Sequence, residues 1–265
     1  LNGVLDSADC ASDMLMSEYV KADYEARIRL RTRGAEAAKR TAVASSRNVN
    51  RAYFENYWNH GPYPQAWNKF FHAGILRDSI RDVWGAGKTF SMLDAGSASG
   101  LTVQALRNLG LDAWGIEKNA WIHAQTPKDV RAYNKLGDVT ELPFKDGQFD
   151  FVYESCLANL PRHKVQKAIR ELHRVARKGI ILGSVTSDLT WPVLIDNEMQ
   201  RGVKTFATLW QWSDWLFNVG FDHAIEDDAL LKRIWDRHDA VGMGKGGWFE
   251  DPESIRYCYF NRLDV

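Results

Sequence analysis

The chain has 265 residues, with 34 Lys and Arg against 34 Asp and Glu, so its formal net charge at pH 7 is zero. That balance argues against a broad electrostatic grip on nucleic acid, and no apolar run reaches the roughly 20 residues of a membrane helix. Its three cysteines, Cys10, Cys156 and Cys258, are far apart and form no C-x-x-C or His/Cys cluster, which argues against zinc and fits a reducing, cytoplasmic setting. The first predicted element is a helix over 13–40, rich in Ala, Glu, Lys, Arg and Leu and weakened by Gly34. This stretch is too polar for a signal peptide. Residues 21–51 hold nine Lys and Arg against three acids. We read this run first as a solvated helix face and second as an RNA-binding arm. A helix over 50–59 follows, and the His60-Gly61-Pro62-Tyr63-Pro64 stretch breaks it. The next helix covers 65–84, with Trp67, Phe70, Phe71, Ile75 and Ile80 as its apolar stripe.

Residues 90–117 then read strand, glycine turn, helix, strand. Phe90–Leu93 is a short buried strand, and Asp94-Ala95-Gly96-Ser97-Ala98-Ser99-Gly100 is a turn of small residues. Leu101, Ala105, Leu106 and Leu109 mark one helical face, and Gly110 stops the helix. Ala113–Ile116 is the second strand, with Glu117 at its carboxyl end. This is half of a nucleotide-binding βαβ unit. Its glycines let backbone approach a ligand, its helix offers free N–H groups, and its acid suits ribose hydroxyls. No P-loop pattern occurs in the chain.

Further segments follow in order. Gly137-Asp138-Val139-Thr140-Glu141-Leu142-Pro143-Phe144 lies beyond a third strand. Gln148–Tyr153 is a fourth strand, and Glu154-Ser155-Cys156-Leu157-Ala158-Asn159-Leu160 is the loop after it. A helix over 163–177 carries Val165, Ile169, Leu172 and Val175, Lys178-Gly179 ends it, and Ile180–Leu182 is a fifth strand. A long connection spans 183–211, then a helix over Trp212–Gly220 and Phe221. A glycine-rich loop at 241–252 precedes the last strand, Ser254–Phe260.

From about 89 to 221 this series resembles the class I S-adenosylmethionine-dependent methyltransferases of small-molecule type. Their D/E-x-G-x-G-x-G motif stands here as Asp94 to Gly100, with Ala98 in place of the middle glycine. Asn159 stands where many members carry a histidine. The resemblance implies an α/β fold, a Rossmann-like doubly wound seven-stranded sheet. It implies a helical lid over 1–88, a core over 89–265 and an acceptor-binding insertion around 183–211. It implies S-adenosylmethionine as cofactor and in-line displacement at its methyl carbon. That chemistry mainly aligns the groups and excludes water, and it requires no metal.

The resemblance also assigns roles. Asp94 and Gly96 hold the methionine end, while Ala98 and Gly100 let backbone come close. Glu117 binds both ribose hydroxyls. Lys118 and Ile122 flank the adenine, with core packing as the alternative for Ile122. Asp138 meets the adenine amino group and the N–H of Val139 a ring nitrogen. Glu154 and Ser155 contact the methionine amino group. Tyr53, Tyr57 and Trp58 either cover the methionine moiety or pack.

The acceptor is less constrained. Tyr153-Glu154-Ser155-Cys156 is not the N/D-P-P-Y/F of adenine-N6 and glutamine methyltransferases, which disfavours DNA and peptide glutamine. A hydroxyl acceptor needs a base, an amine sometimes does, and a thioether does not. Glu154, Asn159 and His238 are the candidate catalytic contacts; His60, His163 and His223 read as structural or surface groups. Eleven tryptophans and interspersed acids suit a small amine, amino acid or sulfur compound. An RNA methyltransferase and a non-catalytic cofactor-binding regulator stay open as alternatives, as does a homodimer. A bound NAD is disfavoured by Ala98 and the short loop.

Overall fold

The computed structural model describes residues 66–154, 156–183, 204–205, 207, 209–225, 229–230, 232–234 and 258–263. The predicted helices over 13–40 and 50–59, most of the 183–211 connection and the 241–252 loop lie outside the described residues. The described elements are helix α1 (Ala66–Trp84), β1 (Ser91–Ala95), α2 (Leu101–Asn108), β2 (Asp112–Glu117), α3 (Ala120–His123) and β3 (Asn134–Leu136). Then come β4 (Phe149–Glu154), a 3-10 turn (Leu157–Asn159), α4 (Arg162–Val175), β5 (Ala176–Leu182), α5 (Leu209–Phe217), β6 (Phe221–His223) and β7 (Cys258–Arg262).

The seven strands form one sheet in the order β3-β2-β1-β4-β5-β7-β6. Strands β1 to β5 pair in parallel, and β7 runs antiparallel to both β5 and β6. This is the expected doubly wound sheet. Strand order reverses direction between β1 and β4, and a crevice opens outside the carboxyl ends of strands at such a switch point. Central strands buried on both faces must be apolar almost throughout. Alternate residues accordingly enter opposite cores. Leu93, Val152, Ile180 and Phe260 face Val165, Ile169 and Leu172 of α4 and Leu216 of α5. Met92, Phe151, Ile181 and Tyr259 face Ile75, Leu76 and Ile80 of α1 and Val103 and Leu106 of α2.

Ile75 and Ile80 of the predicted α1 stripe are buried; the side chains of Trp67, Phe70 and Phe71 are outside the described residues. Helix α2 buries Thr102, Val103, Ala105 and Leu106, so its inward face is rotated from the predicted one, and Leu101 and Leu109 are only half-buried. Gly110 stops it as expected, with φ +81° and its N–H on the Arg107 carbonyl at 2.9 Å.

The predicted end of α4 is corrected. The helix stops at Val175, and β5 begins at Ala176 without a linker. Gly179 is a strand residue: an added Cβ there would stand 2.6 Å from the Phe260 carbonyl oxygen and 2.7 Å from the Trp84 ring. It permits close packing of β7 and α1 and does not stop a helix. The last strand runs on past the predicted end to Arg262, with Cys258 to Arg262 paired against β5 and β6, while 254–257 lie outside the described residues. Among the described residues no helix is long and apolar enough to cross a membrane.

Candidate cofactor site

The turn between β1 and α2 sits at the switch point. The Gly96 and Ser97 N–H groups both donate to the Ile116 carbonyl, at 2.9 and 3.1 Å, which locks the turn to β2. Gly96, Ala98 and Gly100 all have positive φ, at +91°, +49° and +72°. Alanine in this left-handed region costs about 1–2 kcal/mol, so surrounding structure must hold Ala98 there. Its N–H donates to Glu117 Oε2 at 3.0 Å, and its carbonyl accepts from Asn134 Nδ2 at 3.2 Å.

Glu117 ends β2, where the parallel register directs it to the same end as Ala95 and Leu136. Its Oε1 accepts from the Asn119 N–H at 2.6 Å. Burial pushes this carboxyl upward in pKa, and the N–H groups of Asn119 and Ala98 pull against that rise. Oε2 accepts from the Ala98 N–H and Oε1 from the Asn119 N–H, the Lys118 N–H also bears on the carboxylate, and the two oxygens retain acceptor capacity for hydroxyl donors. Asn119 also caps α3, accepting from the N–H groups of Trp121 and Ile122.

Asp138 arrives next to Glu117, since the Gly137 N–H donates to the Glu117 carbonyl at 2.9 Å. Asp138 Oδ1 accepts from the Thr140 N–H and hydroxyl, and Oδ2 pairs with Lys118 Nζ at 2.5 Å. Burial alone would raise this carboxyl; Lys118 and Thr140 outweigh it and bring its pKa to about 2. Lys118 is exposed, whereas the side chains of Ile122 and Val139 are buried. The structure thus brings Ala98, Glu117, Lys118 and Asp138 together, joined through Gly137.

Glu154 is the last residue of β4, not a loop residue, and is 0% exposed. Its Oε2 accepts from the N–H groups of Cys156 and Leu157 at 3.1 and 3.0 Å, and its Oε1 from the N–H of Gly183 at 3.1 Å. As placed, the carboxylate ties together the carboxyl ends of β4 and β5. Burial pushes the Cys156 thiol well up in pKa, and the carboxylates of Glu154, Glu117, Asp94 and Asp138 push it further. Asp94, Glu117 and Glu154 lie toward the carboxyl ends of the neighbouring strands β1, β2 and β4, with Asp138 beside Glu117. Asn159 is exposed on the 3-10 turn. His163 is exposed on the first turn of α4, and His223 is exposed on β6, stacked on Phe260 at 4.9 Å. Tyr53, Tyr57, Trp58, His60, Ser155 and His238 lie outside the described residues. Among the described residues no group of three or more His, Cys, Asp and Glu is arranged to hold a metal ion.

Sequence reasoning missed Asn134, Asn119 and Arg174. Asn134 is a buried amide inside a strand, and asparagine is depleted from strands. That mismatch was the available signal.

Residues 93–182, from β1 to β5, match a family model described as a methyltransferase domain. Over those residues the chain is similar to methyltransferase domains, and its seven-stranded sheet has the Rossmann-like methyltransferase fold. It is accordingly a methyltransferase, with S-adenosylmethionine as its cofactor. A search of curated proteins returned no match. Solved structures of similar fold include a chain from the complex between the Haloferax volcanii Trm112 methyltransferase activator and a candidate methyltransferase. It is 15% identical, with a TM-score of 0.53, over 80% of this chain and 97% of that one. A candidate sarcosine dimethylglycine methyltransferase from Galdieria sulphuraria is 13% identical, with a TM-score of 0.51, over 73% and 86%. A candidate methyltransferase from Bacillus halodurans is 14% identical, with a TM-score of 0.50, over 72% and 98%. At these identities the likeness is one of fold.

The methyltransferase's own residues fit its cofactor. The turn presents backbone at three left-handed positions, and Ser99 Oγ, buried in the same turn, has no hydrogen-bond partner among the described residues. Glu117 offers two carboxylate oxygens suited to a diol. A buried polar atom without a partner is costly, and a ligand that reaches it removes the cost.

Proposed function

We propose that this methyltransferase acts on a small-molecule acceptor, with a nitrogen, oxygen or sulfur nucleophile carried by an amine, amino acid or sulfur compound. One observation carries the reading: Asp94 lies near the end of β1, Glu117 and Glu154 end its two parallel neighbours β2 and β4, and Asp138 sits beside Glu117, so four acids gather at the carboxyl end of the sheet. An acidic crevice repels the phosphates of a nucleic acid and favours a neutral or cationic acceptor. The chain's balanced charge points the same way.

When bound, the cofactor supplies the electrophilic methyl carbon. In this reading Asp94 and Gly96 hold its methionine end, and Ala98 and Gly100 let backbone come near. Glu117 takes the ribose hydroxyls. Asp138 and the Val139 N–H take the adenine edge, flanked by Lys118 and Ile122. Glu154, Ser155 and Tyr57 complete the methionine end, with Glu154 acting by fixing the backbone after β4. Asn159 and His238 are the acceptor contacts. The segment before α1 serves as the lid, and the connection from β5 to α5 supplies the acceptor-binding insertion.

The test is a turnover screen that follows S-adenosylhomocysteine formation with panels of amines, amino acids, thioethers, phenols and RNA. Turnover with a small molecule supports the reading. Turnover with RNA alone, abolished by moderate salt, sinks it.

A further inference from the structure

Asn134 opens β3 and is 2% exposed. Its side chain reaches into the β1–α2 turn. Oδ1 accepts from the Ser97 hydroxyl at 2.6 Å. Nδ2 donates to the Ala98 carbonyl at 3.2 Å and to Thr126 Oγ1 at 2.8 Å. Thr126 Oγ1 in turn donates to the His123 carbonyl at 2.6 Å. Two glycines leave space for this amide. A Cβ on Gly100 would stand 2.9 Å from Asn134 Nδ2, and one on Gly115 would collide with Asn134 Oδ1 and come within 2.6 Å of Ser97 Oγ.

We infer that Asn134 is a positioning residue of the cofactor site. It holds Ala98 in the left-handed conformation that directs the turn's backbone at the ligand, and through Ala98 it fixes Glu117. The Ala98 peptide is gripped at both ends: its N–H by Glu117 and its carbonyl by Asn134. A glycine at position 98 would adopt φ +49° without the Cβ penalty. With alanine there, the conformation depends on those two contacts. A network of this kind orients a binding group without touching the ligand.

The inference rests on reading this turn as the cofactor site, and the test separates the two. Binding of S-adenosylhomocysteine is measured by calorimetry on wild type, Asn134→Ala, Ala98→Gly, the Asn134→Ala/Ala98→Gly double variant and Ser97→Ala. Far-UV circular dichroism checks folding in parallel. Asn134→Ala should bind about tenfold more weakly with its fold retained, as expected for losing one buried hydrogen bond that orders the site. The double variant should recover much of that loss, because glycine removes the strain that Asn134 opposes. Packing alone would not produce that rescue. Ser97→Ala keeps the grip on Ala98 but loosens Asn134, and should weaken binding about threefold. It decides the matter if Asn134→Ala does not fold. Wild-type affinity in Asn134→Ala or in Ser97→Ala, or no recovery in the double variant, overturns the inference. A wild-type protein that does not bind the ligand overturns the cofactor-site reading together with it.

Discussion

At the residue scale the carboxylates of this methyltransferase are held in two opposite ways. Asp138 is stabilised as an anion by Lys118 and Thr140, and its pKa falls from 3.8 to about 2. A depressed pKa means that the interaction stabilises the fold above the unfolded value, near pH 4, and that this contribution fades as pH falls toward 2. Lys118 is 62% exposed, so solvent screens the pair and its contribution is about 1 kcal/mol. Asp138→Asn should therefore cost about 1 kcal/mol in urea unfolding at pH 7 and little near pH 2. A pH-independent cost would refute the ionic account. Glu154 is instead held by backbone N–H groups in the interior. In Glu154→Ala, Gly183 keeps its bond to the Glu154 backbone carbonyl, while the N–H groups of Cys156 and Leu157 lose the acceptor they have here. Each such donor costs about 1–3 kcal/mol, so the expected loss for the two is about 2–6 kcal/mol. Unfolding within 0.5 kcal/mol of wild type would show that water or other groups replace the carboxylate.

At the element scale, the stretch from Leu142 to Asp146 after β3 is fastened to α4 by two side chains, Arg174 and Glu171. Arg174 donates to the Leu142 and Phe144 carbonyls at 3.0 and 2.8 Å, to Asp146 at 2.8 Å and to both oxygens of Glu171. Glu171 in turn accepts from the Leu142 N–H at 2.7 Å. The planar guanidinium reaches all of these groups at once, which a lysine cannot. Arg174→Lys should lower stability by about 2 kcal/mol and also weaken cofactor binding, because the same stretch follows Asp138. Urea unfolding and ligand titration on one preparation test both effects; a fully functional Lys variant would remove the clasp from the argument. The sequence makes α4 legible through Val165, Ile169, Leu172 and Val175, all buried at helical spacing. Its end at Val175 is not legible locally, because Lys178-Gly179 resembles a helix stop. The close approach of Phe260 and Trp84 to Gly179 is a long-range fact that no local pattern carries.

At the scale of the whole molecule, the sheet was legible because each strand carries its own local signal and the glycine turn marks the switch point. The positions of the candidates Asp94, Gly96, Gly100, Glu117 and Asp138 are legible for the same reason: they sit at fixed places relative to strand ends. Asn134, Thr126 and Arg174 were not, since their roles depend on partners 8 to 37 residues away that only folding brings near. Ligand binding at the β1–α2 turn should be felt throughout this single sheet, because β1, β2 and β4 share the turn and the central ladder. S-adenosylhomocysteine at 100 times its dissociation constant should add about 2.7 kcal/mol to the unfolding free energy. For a chain of this length that raises Tm by about 5–10 °C. Glu117→Ala serves as the comparison. Its own Tm responds to loss of a buried carboxyl, so the ligand-induced shift, not the starting Tm, is the quantity to read. That shift should shrink to about half or less at the same ligand concentration, the result of affinity falling by roughly tenfold. An equal shift in both proteins would place the ligand away from Glu117.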